Sequence, residues 1–145
     1  MTALPIRRAR PGDAGEIEEL LKASGLPVAG ASAHIEHFFV AVEGNALAGV
    51  IGLEVYGKDG LLRSLAVRGT DRSKGIGSSL YVRLVDEART LGVKRLVLLT
   101  TTAEEYFRTR GFRSVGRDSI TGALRESAEF TGACPDSAIC MEIIL

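Results

Sequence analysis

The sequence has 145 residues, 46% of them apolar, which suits one domain with a sizeable hydrophobic core. Eighteen basic and eighteen acidic residues cancel, so no long-range field recruits nucleic acid or a membrane surface. No apolar run approaches the roughly 20 residues that cross a bilayer, residues 1–10 show no apolar region typical of a signal peptide, and two cysteines make no disulfide framework. We therefore expect a cytoplasmic protein whose residues 1–145 form a single domain.

The first half of the chain is predicted to form four strands and one helix. The strands are predicted at residues 4–9, 38–43, 46–56 and 61–67. Asp13 and Glu16 form a plausible capping box for a helix after the first strand. Gly44-Asn45 is a good two-residue hairpin turn, and residues 57–60 make another turn, so the strands they join are predicted to be antiparallel.

Residues 25–37 lack a regular pattern, because Gly25, Pro27 and Gly30 interrupt it. His34 and His37 lie in this stretch, with too few other ligands nearby for a metal site, so no metal is predicted. Each histidine is either a catalytic residue or an ordinary loop residue.

A basic, glycine-containing segment separates the strand at 61–67 from an amphipathic helix at 76–91. A helix N-terminus normally attracts acidic side chains, yet no Asp or Glu lies between Arg72 and Asp86. Free backbone N–H groups, small residues and two cations instead predict a site for a phosphate-like anion. The residues of this predicted site are Arg72, Ser73, Lys74, Gly75, Ile76, Gly77 and Ser78. The alternative is a flexible loop with solvated cations.

Two common phosphate-binding motifs do not fit this segment. A dinucleotide fingerprint needs a small third residue where Leu80 stands, and an acid near Val97, where none occurs. A P-loop needs Gly-Lys-Ser/Thr, whereas Lys74 here precedes Gly75.

The end of the chain is less regular. Residues 119–130 have a weak helical pattern, residues 131–137 are a predicted loop, and residues 138–145 are apolar and β-branched enough for a closing strand. Together the patterns predict one mixed sheet of about seven strands with four helices.

The order Arg-x-x-Gly-x-Gly, after a strand that ends in Leu-Ala-Val, resembles the acetyl-coenzyme A signature of the GNAT N-acetyltransferases. The resemblance continues through a strand at 93–102, a helix at 103–110 and the pair Gly111-Phe112, and it covers almost the whole chain. It implies an α/β (α+β) GNAT fold, with a mixed, mostly antiparallel sheet of about seven strands, helices on both faces and a splayed central parallel pair. It also implies acetyl-CoA as the cofactor and a small-molecule amine as the substrate.

The same resemblance implies where acetyl-CoA binds. Its pantetheine arm lies between the strand that ends in Leu65, Ala66 and Val67 and the strand that carries Thr100 and Thr101. A backbone N–H of residues 65–67 then polarises the acetyl carbonyl. By this resemblance residues 25–37 form part of the acceptor wall; otherwise they are a surface loop.

The resemblance also implies a tyrosine as general acid, but in this sequence the nearest tyrosine is one residue away from the family's position. Many GNAT enzymes carry a tyrosine four residues before the glycine of the late Gly-Phe pair, where Phe107 stands here. Tyr106 is one residue earlier, about 100° around a helix. Tyr106 is thus a candidate acid, and its alternative role is packing with a hydroxyl that faces solvent.

Two charged residues interrupt apolar strands. Glu54 is the candidate general base, acting on the amine through a water, or it is a solvated carboxylate at an edge. Arg63 needs an anionic partner in a core strand, either Glu54 or the carboxylate of an amino-acid-like substrate. We favour the substrate, since arginine suits bidentate carboxylate binding, and assign Arg63 and Ser64 to substrate binding.

Three shorter motifs resemble the arsenic-resistance N-acetyltransferase branch of the family: Leu-Leu-Arg-Ser-Leu-Ala-Val, Leu-Leu-Thr-Thr-Thr-Ala-Glu and Cys-Pro-x-Ser-Ala-x-Cys-Met. They imply acetylation of an amino acid or a toxic amino-acid analogue by direct attack in a ternary complex. Cys134 and Cys140 either bind trivalent arsenic or, as we favour, are a loop thiol and a buried strand cysteine. A non-catalytic acyl-CoA-binding module and an arsenic-sensing protein are the alternative functions, and a homodimer is left open.

Overall fold

One mixed sheet organises the parts of the chain that a computed structural model describes, residues 4–69 and 75–145. Within these ranges seven strands have the order β1-β2-β3-β4-β5-β7-β6. The strands are β1 (Ile6–Arg8), β2 (Phe38–Glu43), β3 (Ala46–Tyr56), β4 (Asp59–Val67), β5 (Arg95–Thr100), β6 (Arg113–Val115) and β7 (Ile139–Ile144). The α-helices are α1 (Ala14–Ala23), α2 (Ile76–Thr90) and α3 (Glu104–Thr109). The predicted mixed sheet of about seven strands is confirmed.

β2, β3 and β4 pair in the predicted antiparallel order, and β1 adds to β2, also antiparallel. Gly44 has a φ of 61° in the hairpin between β2 and β3, a conformation that glycine adopts without strain. β4 begins at Asp59, two residues earlier than the sequence predicts, so part of the predicted turn belongs to the strand.

β4 and β5 form the central parallel pair, and they separate along their length. Their paired residues run only from Asp59 with Arg95 to Leu61 with Val97, although β4 continues to Val67. Beyond Leu61, β4 stays paired with β3, and β5 with β7. A register shift between β3 and β4 coincides with Ser64, whose φ is 64°, and such a bulge bends the strand that carries it. The predicted splay is therefore present, and it opens a gap in the sheet.

Helices cover both faces of the sheet, as predicted. Alternate residues of β2 point to opposite faces, so Phe39 packs in the apolar cluster that contains Leu80 and Leu84 of α2. Phe38 packs on the other face with Leu21 of α1. In the described part of the chain, no helix is both long enough and apolar enough to cross a bilayer.

The late segment differs from the prediction. Instead of a helix at 119–130, it contains the short turns Arg117–Ser119 and Ala123–Glu126, followed by one wide turn at Glu129–Ala133. Gly122, with a φ of 79°, interrupts regular helical geometry there. The described residues therefore contain three α-helices instead of four. The three-residue strand β6 was also not predicted, because it is too short to carry a period.

Candidate functional site

A cavity of about 650 Å³ occupies the gap between β4 and β5. Its walls are formed by residues 62–67 of β4, residues 98–103 at and after the end of β5, the loop at 24–27, and a late group made of Glu129, Ala133, Cys134, Pro135 and Ala138. Its volume is that of a pocket for a small organic ligand.

The predicted wall residues lie together in this cavity. Leu65, Ala66 and Val67 line it from β4, and Thr100 and Thr101 line it from the opposite side. Arg63 and Ser64, the predicted substrate-binding residues, line the same cavity. Their individual roles stay predictions, but the fold brings all seven to one space.

The anion site predicted at the start of α2 lies only partly within the described residues. Arg72, Ser73 and Lys74 lie outside the described residues. Gly75 caps the helix with a φ of 80°, and the first turn contains no acidic residue. Ile76 is buried, whereas Gly77 and Ser78 are half-buried. Within the described residues, the first turn of α2 therefore has no acidic side chain to offset the positive end of the helix dipole.

Arg110 adds a cation at this point that the sequence reasoning missed. Its Nη2 donates to Oγ of Ser78 in the first turn of α2. Its guanidinium carbon lies 5.3 Å from the ring centre of Tyr81 and 5.2 Å from that of Tyr106. The only signal in the sequence was its place directly before Gly111-Phe112. A cation beside a helix N-terminus is unfavourable by itself, so the arrangement suits an anion between them.

Arg63 is held by an ion pair with Glu54 inside the protein. The Arg63 side chain is 0% exposed, and its Nη1 donates to Oε2 of Glu54 at 2.8 Å. The same guanidinium also donates to the carbonyl oxygens of Ala29 and Pro27 and to Oγ of Ser64. The sequence favours a substrate carboxylate as the partner of Arg63, whereas the structure pairs it with the alternative partner, Glu54. Four of the five N–H groups of Arg63 have acceptors within the described residues.

Glu54 is 1% exposed, so its interpretation as a solvated edge carboxylate is wrong. Its Oε1 accepts a hydrogen bond from the Tyr56 hydroxyl and lies 3.5 Å from Nε2 of His34. Burial, together with this carboxylate, raises the pKa of Tyr56. Within the Arg63–Glu54 ion pair, Arg63 lines the cavity and Glu54 does not. The role of Glu54 as general base stays a prediction.

Glu129 is a second buried carboxylate, and the sequence reasoning did not single it out. It is 3% exposed, it lines the cavity, and its Oε2 lies 3.6 Å from Nε of Arg63. Burial raises the pKa of Glu129 to about 7, against the opposing effect of Arg63. The Cys134 thiol is hydrogen-bonded to Glu129, and burial with this neighbour raises the Cys134 pKa to about 12. Glu129 could not be found from a helix or strand pattern in the sequence, because it lies in the irregular late segment, which brings it to the cavity.

Phe107 stands at the cavity position where the family pattern places a tyrosine, and Tyr106 points elsewhere. Phe107 is buried and lines the cavity. The Tyr106 hydroxyl instead lies at the start of α2, 3.3 Å from Nη2 of Arg110 and 3.7 Å from the position of a Cβ at Gly77. Tyr106 as the acid stays a prediction, and its position brings it closer to the anion site than to the cavity.

The histidines and cysteines lie in different places. His37 is 3.5 Å from Glu87, outside the cavity, and its buried Nδ1 makes no hydrogen bond within the described residues. Cys134 lines the cavity, while Cys140 is buried in β7. Among the residues described, no group of three or more His, Cys, Asp or Glu side chains is arranged to hold a metal ion.

Comparison with known families decides the assignment. The model of the acetyltransferase (GNAT) family matches residues 9–112, most of the chain. The chain belongs to the GNAT family. The match includes the gap between β4 and β5 and the start of α2, whereas Glu129 and both cysteines lie beyond it.

Curated relatives of this GNAT chain are larger proteins. The amino-acid acetyltransferase of Neisseria meningitidis is 29% identical over 101 residues, which cover 68% of this chain and 23% of the relative. The amino-acid acetyltransferase of an Enterobacter species is 30% identical over 134 residues, 86% of this chain and 30% of the relative. The chain therefore spans less than a third of the length of these relatives.

Solved structures give the same fold. N-acetylglutamate synthase from Neisseria gonorrhoeae, complexed with coenzyme A and N-acetyl-glutamate, matches with a TM-score of 0.84 and 25% identity, over 100% of this chain and 36% of that one. Rv2747 from Mycobacterium tuberculosis, in complex with CoA and NLQ, matches with a TM-score of 0.80 and 23% identity, over 97% and 99% of the two chains. The GNAT fold is thus shown, while these relatives do not extend to the arsenic-resistance branch.

Proposed function

We propose that this chain is an N-acetyltransferase that moves the acetyl group of acetyl-CoA to the amino group of a small amino acid or amino-acid analogue. The amine attacks directly in a ternary complex. One observation carries the proposal: the cavity between β4 and β5 joins a predicted thioester wall, at residues 65–67, to a wall with buried charges of both signs, Arg63 and Glu129. The relative from Neisseria gonorrhoeae, solved with coenzyme A and N-acetyl-glutamate, supports this combination of ligands.

The residues present fit acetyl-CoA, which supplies an activated acetyl thioester. The first turn of α2 presents backbone N–H groups and contains no acidic residue, and Arg110 lies beside it. Charge-assisted hydrogen bonds contribute about 1.5–3 kcal/mol each. A few of them on a diphosphate supply much of the roughly 8 kcal/mol of a micromolar complex. The backbone of residues 65–67 then holds and polarises the thioester carbonyl.

A free amino acid fits the opposite wall because it carries both charges. Arg63 is the candidate for its carboxylate, through the one Nη2 N–H that has no acceptor among the described residues. The loop residues Ser24, Gly25, Leu26 and Pro27 line the cavity on the same side. We therefore place the acceptor between this loop and the late segment.

Arsenic resistance is the finer form of this proposal, and it rests on the three short motifs. Within it, we favour acetylation of an amino-acid analogue over arsenic binding by Cys134 and Cys140. Thiolates are the form that binds soft metals, and burial raises the pKa of both thiols, that of Cys134 to about 12.

A non-catalytic acyl-CoA-binding module is the second candidate, and one observation favours it. Phe107 lines the cavity at the position where many GNAT enzymes carry a tyrosine that acts as general acid. However, the leaving thiol has a pKa near that of cysteine, about 8.5, so water is able to protonate it.

The test is thiol release from acetyl-CoA with a panel of amino acids and analogues, alongside calorimetric titration of CoA. Amine-dependent thiol release, with the acetylated amine identified by mass spectrometry, supports the proposed enzyme. CoA binding without turnover for any amine supports the non-catalytic module. If neither thiol release nor CoA binding is observed, the proposal is contradicted and so is the predicted anion site at α2.

A further inference from the structure

Two buried carboxylates share one buried guanidinium in the wall of the cavity. Glu54, Arg63 and Glu129 are 1%, 2% and 3% exposed, respectively. Glu54 accepts a hydrogen bond from Arg63 at 2.8 Å, whereas Glu129 has only a 3.6 Å contact with its Nε. When all three groups are ionised, the cluster carries one surplus negative charge in a place that water does not reach freely.

That surplus lies on Glu129. The Nε–H of Arg63 donates to Oγ of Ser64 at 3.0 Å, so Glu129 receives no hydrogen bond from the guanidinium. Its neighbour Cys134 offers only a thiol, which is a weak donor. A buried carboxylate with so little compensation is stabilised either by a proton or by a cation that enters the cavity.

We propose that Glu129 binds the ammonium group of the acceptor and takes the proton that this group must lose before it attacks. This assignment rests on the proposed function, and it names the residue that recognises the amine. The groups that face Glu129 are Arg63 from β4, Glu54 from β3 and Cys134 from its own segment. Their balance with burial raises the pKa of Glu129 to about 7, which suits a base that works near neutral pH.

The protons and bonds balance in this step. The acceptor enters as an ammonium ion, and the Glu129 carboxylate accepts one of its protons. The neutral nitrogen forms a C–N bond with the acetyl carbon while the C–S bond of the thioester breaks. The second proton leaves the nitrogen for the CoA thiolate, and Glu129 later releases its proton to solvent through the cavity.

Glu54 is less well placed for this task. Its two oxygens already bind Tyr56 and Arg63, and it does not line the cavity. We therefore assign Glu54 as a positioning residue, which fixes Arg63 beside Glu129.

The first test compares Glu129→Gln with two controls across pH. Glu129→Gln should lower kcat/KM by about 100-fold at neutral pH, with CoA affinity unchanged. The loss should shrink above pH 9, where the free amine loses its own proton. Glu142→Gln is the matched control, because Glu142 of β7 is buried and ion-paired with Arg113 of β6, outside the cavity; it should retain wild-type kcat/KM.

Glu54→Gln separates the two carboxylates. We expect the acidic limb of the wild-type pH profile to persist in Glu54→Gln and to disappear in Glu129→Gln. The opposite pattern would overturn the assignment in favour of Glu54. If Glu129→Gln fails to fold, Glu129→Asp retracts the carboxylate by one methylene, and an unchanged kcat in that variant would also overturn it.

A second test needs no turnover. With CoA present, calorimetry compares L-glutamate with glutarate, which lacks the amino group. The wild type should prefer L-glutamate by about tenfold or more, as for one charge-assisted contact, and Glu129→Gln should lose this preference. If this result comes without thiol release, the proposed enzyme fails while ammonium recognition stands. If the wild type binds L-glutamate and glutarate equally well, or binds neither, the inference is overturned.

Discussion

At the scale of single residues, Arg63 joins the loop that contains Pro27 and Ala29 to the sheet. Its guanidinium donates to the carbonyl oxygens of Pro27 at 3.1 Å and Ala29 at 2.8 Å, while Glu54 holds it from β3. A stretch without regular secondary structure is thereby fixed against a strand by hydrogen bonds to a buried charge. The side of the cavity where we propose that the acceptor binds is consequently organised by these hydrogen bonds of the protein itself.

Glu129 should make stability depend on pH, and the direction follows from its raised pKa. Between the ordinary carboxyl value of 4.5 and about 7, the folded protein keeps a proton on Glu129 that the unfolded chain has lost. The free energy of unfolding should therefore be highest below this window and fall as pH rises through it. The loss should approach about 3 kcal/mol, and Glu129→Gln should not show it. Urea unfolding at pH 5 and pH 8.5 measures the difference.

Asp13→Asn is a control for that measurement. Hydrogen bonding to Arg7 lowers the pKa of Asp13, so its contribution is lost only as pH falls through acidic values. Asp13→Asn should reduce stability equally at pH 5 and pH 8.5. A wild type and a Glu129→Gln variant with parallel pH dependence would show that Glu129 is ionised in the folded protein already at pH 5.

At the scale of elements, the start of α2 and the gap beyond Leu61 form the two ends of the proposed CoA site. Gly75 at this site and Gly57 in the turn between β3 and β4 make a matched pair, since both have a positive φ and, among the described residues, no atom within 4 Å of the position of a Cβ. Gly75→Asp places a negative charge at the predicted phosphate and should weaken CoA binding by at least about tenfold. Gly57→Asp, in the turn between β3 and β4, should leave it unchanged. Equal CoA affinity of both variants would show that the phosphate does not bind at the start of α2.

The packing of β2 on β3 supports a stability prediction. A Cβ on Gly52 would lie 2.3 Å from Cζ of Phe38, whose ring is fully buried. Gly52→Ala should therefore force the ring to move and cost about 1–3 kcal/mol. Gly15→Ala in α1, where the Cβ meets nothing within 4 Å, should be neutral or slightly stabilising. Denaturant unfolding checks both, and equal stability of the variants would mean that the Phe38 ring moves aside without cost.

At the scale of the whole molecule, sequence pattern predicts the regular parts of the fold well and the cavity wall only in part. The apolar face of α2, which contains Leu80 and Leu84, follows from the helical period of apolar residues, and the turn at Gly44 follows from turn chemistry alone. Glu129 and Arg110 could not be found that way, because distant segments bring them to the site. Glu54 and Arg63 were noticed as charges in apolar strands, but their mutual pairing depended on register, which one sequence does not contain.

The gap between β4 and β5 predicts how ligand binding changes the whole molecule. Among the described residues, the two parts of the sheet, β1 to β4 and β5 to β7, pair as strands over a short stretch from Asp59 to Leu61, with further hydrogen bonds at Lys58 beside it. A ligand in the gap bridges them further along. CoA at 100 times its Kd should raise the free energy of unfolding by about 2.7 kcal/mol. Amide hydrogen exchange should slow most at residues 62–67 and 98–100, more than in β2, which lies away from the cavity. Stabilisation without slower exchange at the gap would place CoA elsewhere and would leave the cavity to another ligand.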